Sequence, residues 1–177
     1  MIEKKLNVPF AQSYWVVEGS FLAGEHPSET DPESTRRRLS ALLDAGIQTF
    51  LDLTAEGELK SYRNSLRTLA EKRRLEISFV RIPIRDRSVP SVTTLRQVLD
   101  AIDQSLANEK SVYVHCFAGI GRTGTAVGCY LKRHGLAGSD DVIEKIAALR
   151  RSIPGDFGLS PHTPEQVWFV KNWEKDS

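Results

Sequence analysis

Short apolar runs alternate along the chain with longer segments in which apolar residues recur every three or four positions. The short runs are rich in β-branched and aromatic residues and are bounded by glycine or polar clusters, a pattern typical of strands. The first run contains a Gly-Ser pair that divides it into two strands joined by a turn. We therefore predict strands within Tyr14–Gly24, Ile47–Leu53, Ile77–Ile84 and Val112–Val114.

The segments with helical periodicity carry recognisable start signals. Asp31 precedes Pro32, which is the combination expected at an N-cap and at the first helical position. Ser91 precedes a long segment with apolar residues at helical spacing, and a Ser-Asp-Asp triplet that ends at Asp141 is predicted to cap another helix. Helices are thus expected after Asp31, over Ser61–Arg74, after Ser91, over Arg122–Arg133, after Asp141 and near Thr163–Trp173.

This alternation of strands and helices predicts an α/β fold. Strands that are apolar throughout are buried on both faces, so the sheet is expected to be mainly parallel. We predict a three-layer domain with about five strands in the central sheet and helices on both faces. Residues 1–177 contain no repeat, low-complexity segment or interdomain linker and are expected to form a single domain. Ligands of such folds bind beyond the carboxyl ends of the strands.

Composition and charge indicate which classes of protein this chain is not expected to belong to. Hydrophobic residues make up 40% of the chain and charged residues 27%, as in ordinary globular proteins. The formal net charge is +1, which provides no overall field for nucleic acid or an anionic membrane, and neither partner is expected. No run approaches the ~20 apolar residues that cross a bilayer, and no signal-peptide core follows the N-terminal residues. Cys116 and Cys129 make no disulfide framework, so we expect a reducing, cytoplasmic setting.

The segment Ser111–Thr125 carries the clearest chemical signal. Cys116 ends a predicted strand, and a loop with Gly119 and Gly121 leads to Arg122, where an apolar helix begins. The five residues between Cys116 and Arg122 suffice to curl a loop around a tetrahedral oxyanion, with amide N–H groups pointing inward. A phosphoryl group fits such a ring, because the arginine fork binds two of its oxygens.

The same loop suits nucleophilic catalysis. A thiol attacks as the thiolate, and a helix N-terminus, ringed amides and Arg122 all favour the anion. We therefore expect Cys116 to attack a phosphate monoester and to form a cysteinyl phosphate that water hydrolyses. The Thr123 hydroxyl is a candidate donor to the sulfur when that intermediate breaks down. His115 either tunes the thiolate or orients the loop by hydrogen bonding, and the sequence leaves both roles open.

Other interpretations of this segment are weaker. Cys116 taken alone is a small buried residue, but the strand, the glycine loop and the arginine together argue against that reading. Cys129 lies among apolar helix positions and is predicted to be a core thiol. Residues 119–124 also spell G-x-G-x-x-G, the dinucleotide-binding fingerprint. The acids that follow, Asp140 and Asp141, cap a helix and end no second strand, so a dinucleotide site is not favoured.

The loop from His115 to Gly124 resembles the signature of the protein-tyrosine and dual-specificity phosphatase superfamily, H-C-x5-R-S/T with internal glycines. Trp15–Pro27 is similar to the N-terminal strands of compact dual-specificity members, and Thr163–Phe169 is similar to the T-x-x-Q segment of tyrosine phosphatases. The resemblance covers nearly the whole chain. It implies a phosphotyrosine-phosphatase-like fold, catalysis through cysteinyl phosphate, and no metal or other cofactor.

The resemblance also implies a general acid on an upstream loop. Asp86 lies thirty residues before Cys116, on a loop that has Ile84-Arg85 where tyrosine-specific members have the W-P of W-P-D. It is expected to protonate the leaving oxygen and later to activate water. A solvated loop aspartate is the alternative. Asp52 is a weaker candidate, because it ends a strand and is expected to bond to backbone.

Two further residues have suggested roles. Gln166 matches a family position that orients the hydrolytic water, and a surface glutamine is the alternative. Glu58 is a candidate carboxylate partner that braces Arg122.

The residues between Cys116 and Arg122 indicate which kind of substrate the loop can bind. The oxyanion is expected to contact the residues between the cysteine and the arginine: Phe117, Ala118, Gly119, Ile120 and Gly121. Lipid-directed members of the superfamily add basic residues in this loop, so a polyanionic lipid substrate is disfavoured here. The recognition loop that deepens tyrosine-specific clefts is not evident in the 177 residues.

The resemblance therefore implies a protein phosphatase for phosphotyrosine and for phosphoserine and phosphothreonine. Phosphorylated proteins are its expected partners, and phosphate-like oxyanions such as vanadate are expected to bind in the loop. Two alternatives remain open: a phosphatase of soluble nucleotide or inositol phosphates, and a phosphopeptide-binding module without turnover.

Overall fold

A computed structural model describes residues 7–155 and 159–174. Within these ranges the chain forms five strands and six helices in the predicted order. The strands are β1 (Ser13–Val17), β2 (Phe21–Gly24), β3 (Ile47–Asp52), β4 (Ser78–Arg81) and β5 (Ser111–His115). The helices are α1 (Pro32–Asp44), α2 (Arg63–Arg73), α3 (Val92–Ala107), α4 (Gly121–Arg133), α5 (Val142–Arg150) and α6 (Pro164–Asn172).

The strands form one sheet in the order β1-β2-β5-β3-β4, with β5 at its centre. β1 runs antiparallel to β2, and the other neighbours are parallel, which confirms the prediction of a mainly parallel sheet. The register aligns His115, at the end of β5, with Gly24 of β2 and Asp52 of β3. The carboxyl ends of three strands therefore meet where the chain leaves β5.

Helices cover both faces of the sheet because each helix has an apolar side. On one face α3 to α6 pack on the strands through a core that contains Leu99 and Val127. On the other face α1 and α2 bury Leu42 and Leu66. Burying each such side chain contributes roughly 1.5–3 kcal/mol. The three-layer α/β architecture is thus confirmed.

Two predicted N-caps are confirmed, and a third is wrong. Asp31 accepts a hydrogen bond from the amide of Ser34 at 2.8 Å, and Ser91 caps α3 in the same way. Asp141 does not cap α5 with its side chain, which instead accepts from the amide of Gly138 at 2.6 Å. Side-chain capping needs an extended backbone, and Asp141 has φ −110° and ψ −7°.

Some predicted boundaries differ from the structure. β4 ends at Arg81, three residues before the predicted end, because its partner strand β3 ends at Asp52, which pairs with Arg81. Beyond this point the amides of Ile82 and Ile84 still donate to the carbonyl oxygens of Asp52 and Leu53. α2 begins at Arg63, two residues later than predicted. The N-terminal residues on which the expected absence of a signal-peptide core rests lie largely outside the described ranges. In the described parts, no helix is long and apolar enough to cross a membrane.

Candidate active site

Residues 116–120 form a loop that connects the central strand β5 to the first turn of α4. Cys116 is buried at its start, with 3% of its surface exposed. Gly119 has φ +67°, and a Cβ there would lie 2.3 Å from the carbonyl carbon of Gly24. The loop therefore runs against the end of β2 so closely that only glycine fits at this position.

The carbonyl groups of this loop are bound from outside it. The oxygen of Gly119 accepts from Arg150 Nη1 at 2.6 Å, and that of Ile120 accepts from Ser160 Oγ at 2.8 Å. The oxygen of Phe117 accepts from the amide of His26 at 2.8 Å. With the carbonyls held by these neighbours, the loop is rigid before any ligand arrives.

The amide groups of the same loop have no such partners. Within the described part of the chain, the N–H groups of residues 117–120 donate no hydrogen bond. They stand next to the N-terminus of α4, whose first amides also lack helical acceptors. Successive free amides at a helix N-terminus bind anions.

Arg122 closes this site from the first turn of α4. Its guanidinium is almost fully buried and bonds to both carboxylate oxygens of Glu58, Nη2 at 2.6 Å and Nη1 at 2.9 Å. Nη1 also donates to the carbonyl of Ile84, and Nη2 lies 3.1 Å from Asp86 Oδ1. The suggested bracing by Glu58 is confirmed.

The charges of this pair support each other. Burial works against the cationic form of Arg122, but the bonds to Glu58 outweigh it and the pKa of the guanidinium is raised. The hydrogen bond from Arg122 in turn holds the pKa of Glu58 below its ordinary value. Both groups are therefore charged at neutral pH.

Two buried donors at this site have no protein acceptor. Arg122 Nε and Thr123 Oγ1 are both shielded from solvent and make no hydrogen bond to the described residues. The suggested bond from Thr123 to the sulfur of Cys116 is therefore not formed here, and the role of Thr123 stays a prediction. An unpaired buried donor is costly, and Arg122 lines the same cavity as Cys116, so an oxyanion bound there can accept from Nε.

His115 lies entirely beneath the loop. Its Nε2 is 2.6 Å from the hydroxyl of Tyr62, and its Nδ1 is 3.3 Å from the carbonyl oxygen of Cys116. Burial lowers the pKa of His115 to about 4, so the imidazole is neutral at pH 7. A neutral ring can donate from Nδ1 to Cys116 and accept from Tyr62, which supports the orienting role rather than a charged one.

Asp86 lies at the mouth of the site. It lines the same cavity as Cys116 and keeps 59% of its side chain exposed, so it can reach both an incoming ester and water. Asp52 does not line this cavity. It is fully buried and accepts from the amide of Thr54 at 2.8 Å, which confirms its predicted bond to backbone.

Gln166 lies beside the loop and not at the surface, so the alternative of a surface glutamine is wrong. A Cβ added at Gly121 would lie 3.0 Å from Gln166 Oε1. That oxygen accepts from the amides of His162 and Thr163, and Nε2 donates to the carbonyl of Ser88 at 3.0 Å. The side chain thereby joins α6 to the loop of Asp86, and its predicted role in orienting water remains a prediction.

Sequence reasoning missed Arg150, Tyr62 and Ser160. Arg150 is 3% exposed and holds the loop carbonyl described above. One signal was available for it, because Val142, Ile146 and Arg150 recur at a spacing of four on the buried face of α5. Tyr62 and Ser160 carried no local signal.

Cys129 is a core thiol, as predicted. It is fully buried among the apolar residues between α4 and the sheet, and burial raises the pKa of its thiol well above the ordinary value. The G-x-G-x-x-G pattern leads from the loop into α4, and the next element is α5, so no second strand follows it in the described part of the chain.

The open space in front of the loop is a cavity of about 230 Å³. It has Cys116 at its base and residues of three segments around it: Asp86, Arg87, Phe117, Ala118, Ile120, Gly121, Arg122 and His162. The thiol of Cys116, the guanidinium of Arg122, the free loop amides and the carboxyl group of Asp86 therefore face one cavity.

A family profile described as "Polymorphic toxin system, DSP-PTPase phosphatase" matches residues 25–136, which is more than half of the chain. The chain belongs to the dual-specificity phosphatase superfamily. Its fold is the one expected from the resemblance, and the matched residues include the loop of residues 116–120, Arg122 and Asp86.

Relatives and solved structures agree with this assignment. The phosphatase is 30% identical over 136 residues to protein tyrosine phosphatase domain-containing protein 1 of Mus musculus, a match that covers 73% of this chain and 18% of the relative. It is 29% identical over 123 residues to dual specificity protein phosphatase CDC14A of Homo sapiens, covering 68% of this chain and 19% of the relative. The chain thus matches about a fifth of the length of these relatives.

Two solved structures share the fold over nearly the whole chain. Tk-PTP in its active form has a TM-score of 0.70 and 23% identity, covering 94% of this chain and 98% of that structure. PTPMT1 in complex with PI(5)P has a TM-score of 0.68 and 22% identity, covering 93% of this chain and 96% of that structure.

Proposed function

We propose that this phosphatase hydrolyses phosphotyrosine, phosphoserine and phosphothreonine monoesters in proteins through a cysteinyl-phosphate intermediate. The observation that carries the proposal is the unpartnered buried donor Arg122 Nε beside the free amides of residues 117–120, at the cavity that Cys116 lines. A phosphoryl group bound by these donors places its phosphorus in front of the sulfur of Cys116.

In the first step the thiolate of Cys116 attacks phosphorus. An S–P bond forms while the ester P–O bond breaks, and Asp86 transfers its proton to the departing oxygen. The fixed guanidinium of Arg122 and the loop amides stabilise the charge on the equatorial oxygens, and need no reorganisation because Glu58 and Arg150 already hold them in place.

In the second step water attacks the phosphorus of the cysteinyl phosphate. Asp86, now ionised, accepts a proton from that water, and the S–P bond breaks to release phosphate and the thiolate. The Thr123 hydroxyl is then free to donate to the leaving sulfur, since no other acceptor among the described residues occupies it. Gln166 contributes to this step indirectly. Its Nε2 donates to the carbonyl of Ser88 and so holds the loop that carries Asp86.

Protein substrates are supported by the setting of the cavity. Phe117 exposes 59% of its surface at the rim, where it offers an apolar contact to the residues that flank a phosphorylated side chain. The curated relatives named above are described as protein phosphatases. A soluble phosphate ester is the second candidate, favoured by Arg87, which adds a positive charge to the cavity lining.

A substrate panel tests the proposal. Purified enzyme is assayed without added metal on a chromogenic phosphate ester, with and without vanadate, and then on phosphopeptides against nucleotide and inositol phosphates. We expect vanadate-sensitive hydrolysis of the ester and higher kcat/KM on phosphopeptides. Cys116→Ser should bind vanadate and show no turnover. Persistent hydrolysis by that variant would refute the nucleophile, and preference for the soluble esters would replace the substrate class.

A further inference from the structure

Arg87 follows Asp86 in a tight turn that is held at both ends. The amide and the hydroxyl of Ser88 both donate to the carbonyl of Arg85, at 3.2 and 2.7 Å. The carbonyl of Ser88 accepts from Gln166 Nε2 at 3.0 Å. Arg87 itself has φ +56°, a left-handed conformation that costs a non-glycine residue roughly 1 kcal/mol or more. The turn therefore holds the Arg87 backbone in a strained and defined position.

Arg87 lines the cavity in front of Cys116, and its charge is not neutralised there. Among the described residues its side chain makes no hydrogen bond, ion pair or ring contact. Arg122, the other arginine of the cavity lining, is instead paired with Glu58 and Asp86, and Arg85, which is also unpaired among the described residues, does not line the cavity.

The acidic group closest to Arg87 in the chain is already engaged. Asp86 lies 3.1 Å from Arg122 Nη2 and is the only acidic residue among the described residues that line the cavity. His162, on the approach to α6, lines the same cavity and adds an imidazole N–H donor to it. The lining thus holds more cationic and donor groups than one phosphoryl group requires.

The opposite flank of the site is balanced in charge. Beyond Phe117 a surface pocket of about 310 Å³ is lined by two acidic residues, Glu25 and Glu29, and two basic ones, Arg38 and Lys60, among others. Arg38 lies 2.6 Å from Glu25 and 2.5 Å from Glu29. The formal charges of this pocket cancel, whereas Arg87 and Arg122 outnumber Asp86 in the lining of the cavity, so an anionic group of the substrate is favoured on the Arg87 flank.

We infer that Arg87 binds a second anionic group of the substrate, next to the phosphoryl group, and so makes the site selective for phosphate esters with an adjacent negative charge. The inference deepens the proposed function and rests on it. The group meant is the carboxylate of an acidic residue beside the phosphorylated residue. A second phosphate on a small ester has the same chemistry, and the experiment separates the two sources.

The first arm of the test uses two phosphopeptides that differ only in a Glu or Gln beside the phosphorylated residue. The ratio of their kcat/KM values is measured for wild type, Arg87→Gln and Arg85→Gln. Arg85 is the matched control, since it is exposed on the same turn and does not line the cavity. We expect wild type and Arg85→Gln to prefer the Glu peptide about five-fold at low salt, and Arg87→Gln to show a ratio near one.

The ratio is internal to each enzyme, so a partly misfolded variant does not distort it. A second arm repeats the comparison with an inositol monophosphate and an inositol bisphosphate. An Arg87-dependent preference in this arm alone, with no phosphopeptide turnover, would retain the second-anion site and overturn the protein substrate. Equal ratios for wild type and Arg87→Gln in both arms would overturn the inference even if phosphopeptides are good substrates.

Discussion

Arg122 is a buried charge that is stabilised by an ion pair with Glu58. A buried guanidinium without a partner costs several kcal/mol, and the two-point bond to Glu58 offsets that cost. The bond uses Nη1 and Nη2 and leaves Nε unpaired. Glu58 thus sets which edge of the guanidinium is available to a phosphoryl group.

This arrangement predicts a large effect for Glu58→Gln. The variant keeps the shape of the side chain but loses a charge-assisted bond worth about 1.5–3 kcal/mol, so kcat/KM on a chromogenic ester should fall roughly 10- to 100-fold. Glu56→Gln is the control, because Glu56 is exposed on the same segment and does not line the cavity. Equal activity in both variants would show that Arg122 needs no brace.

The proposed role of Asp86 as general acid predicts that the effect of removing it depends on the leaving group of the substrate. Asp86→Asn cannot donate a proton, so turnover of phosphotyrosine should fall about 100-fold or more, within the range for general acid catalysis. An activated ester whose leaving group needs no proton should lose far less in its first step. The measurement is single-turnover release from both substrates, and similar losses would remove Asp86 from the role of acid.

Arg122→Lys tests the fork geometry of the same site. Lysine keeps the charge but has one point donor, so it cannot hold Glu58 with two bonds and also present a further N–H, as Arg122 does with Nε, to a phosphoryl oxygen. We expect most of the activity to be lost, by roughly 100-fold or more in kcat/KM. Retention of activity within a few-fold of wild type would contradict this account.

At the scale of elements, the loop of residues 116–120 is held by parts of the chain that are remote in sequence. The end of β2 limits it at Gly119, Arg150 of α5 binds its carbonyl, and Ser160 binds the next one. These contacts come from three separate segments. A substitution in any of them is expected to shift the loop backbone and with it the sulfur of Cys116.

Two glycines form a matched pair that tests this packing. Gly119 and Gly135 have φ +67° and +68°, but a Cβ at Gly135 meets nothing within 4 Å whereas one at Gly119 meets the backbone of β2. Gly135→Ala should cost about 1–2 kcal/mol of unfolding free energy and leave vanadate affinity unchanged. Gly119→Ala should abolish vanadate binding and activity, measured by calorimetric titration and ester hydrolysis. Normal binding by Gly119→Ala would disprove the close approach.

At the scale of the whole molecule, stability depends on a histidine that folds in its neutral form. Burial lowers the pKa of His115 to about 4 from an ordinary value of 6.5, and burial also lowers the pKa of His26. The unfolded chain therefore binds more protons than the folded one below pH 6.5. Stability is lost as pH falls from there toward 4.

For His115 this linkage amounts to about 3 kcal/mol over that range. We expect the free energy of unfolding, from urea titrations, to decrease steadily between pH 7 and pH 4.5. His115→Gln should flatten this decrease, and His162→Gln should not, because His162 is exposed. A slope that is unchanged in His115→Gln would show that this histidine is not the group responsible.

The elements with strong local signals were predictable. α1 and α3 begin at their predicted caps because an Asx or serine side chain bonds to amides two or three residues away. The Asp141 cap failed because its backbone conformation is set by the turn before it, through the bond to Gly138. Edge strand β4 ended early because pairing partners, and not its own apolar residues, decide its length.

The amino-acid sequence by itself located Cys116, Arg122 and the loop between them, because all three lie within one short contiguous segment and five residues separate the cysteine from the arginine. Only the tertiary structure decided which remote side chains serve that segment. Glu58 lies 64 residues from Arg122, Tyr62 lies 53 from His115 and Arg150 lies 31 from Gly119. Such pairs form because packed helices and strands bring residues that are distant in sequence into contact. A local pattern of hydrophobic and polar residues does not indicate which distant residues will meet.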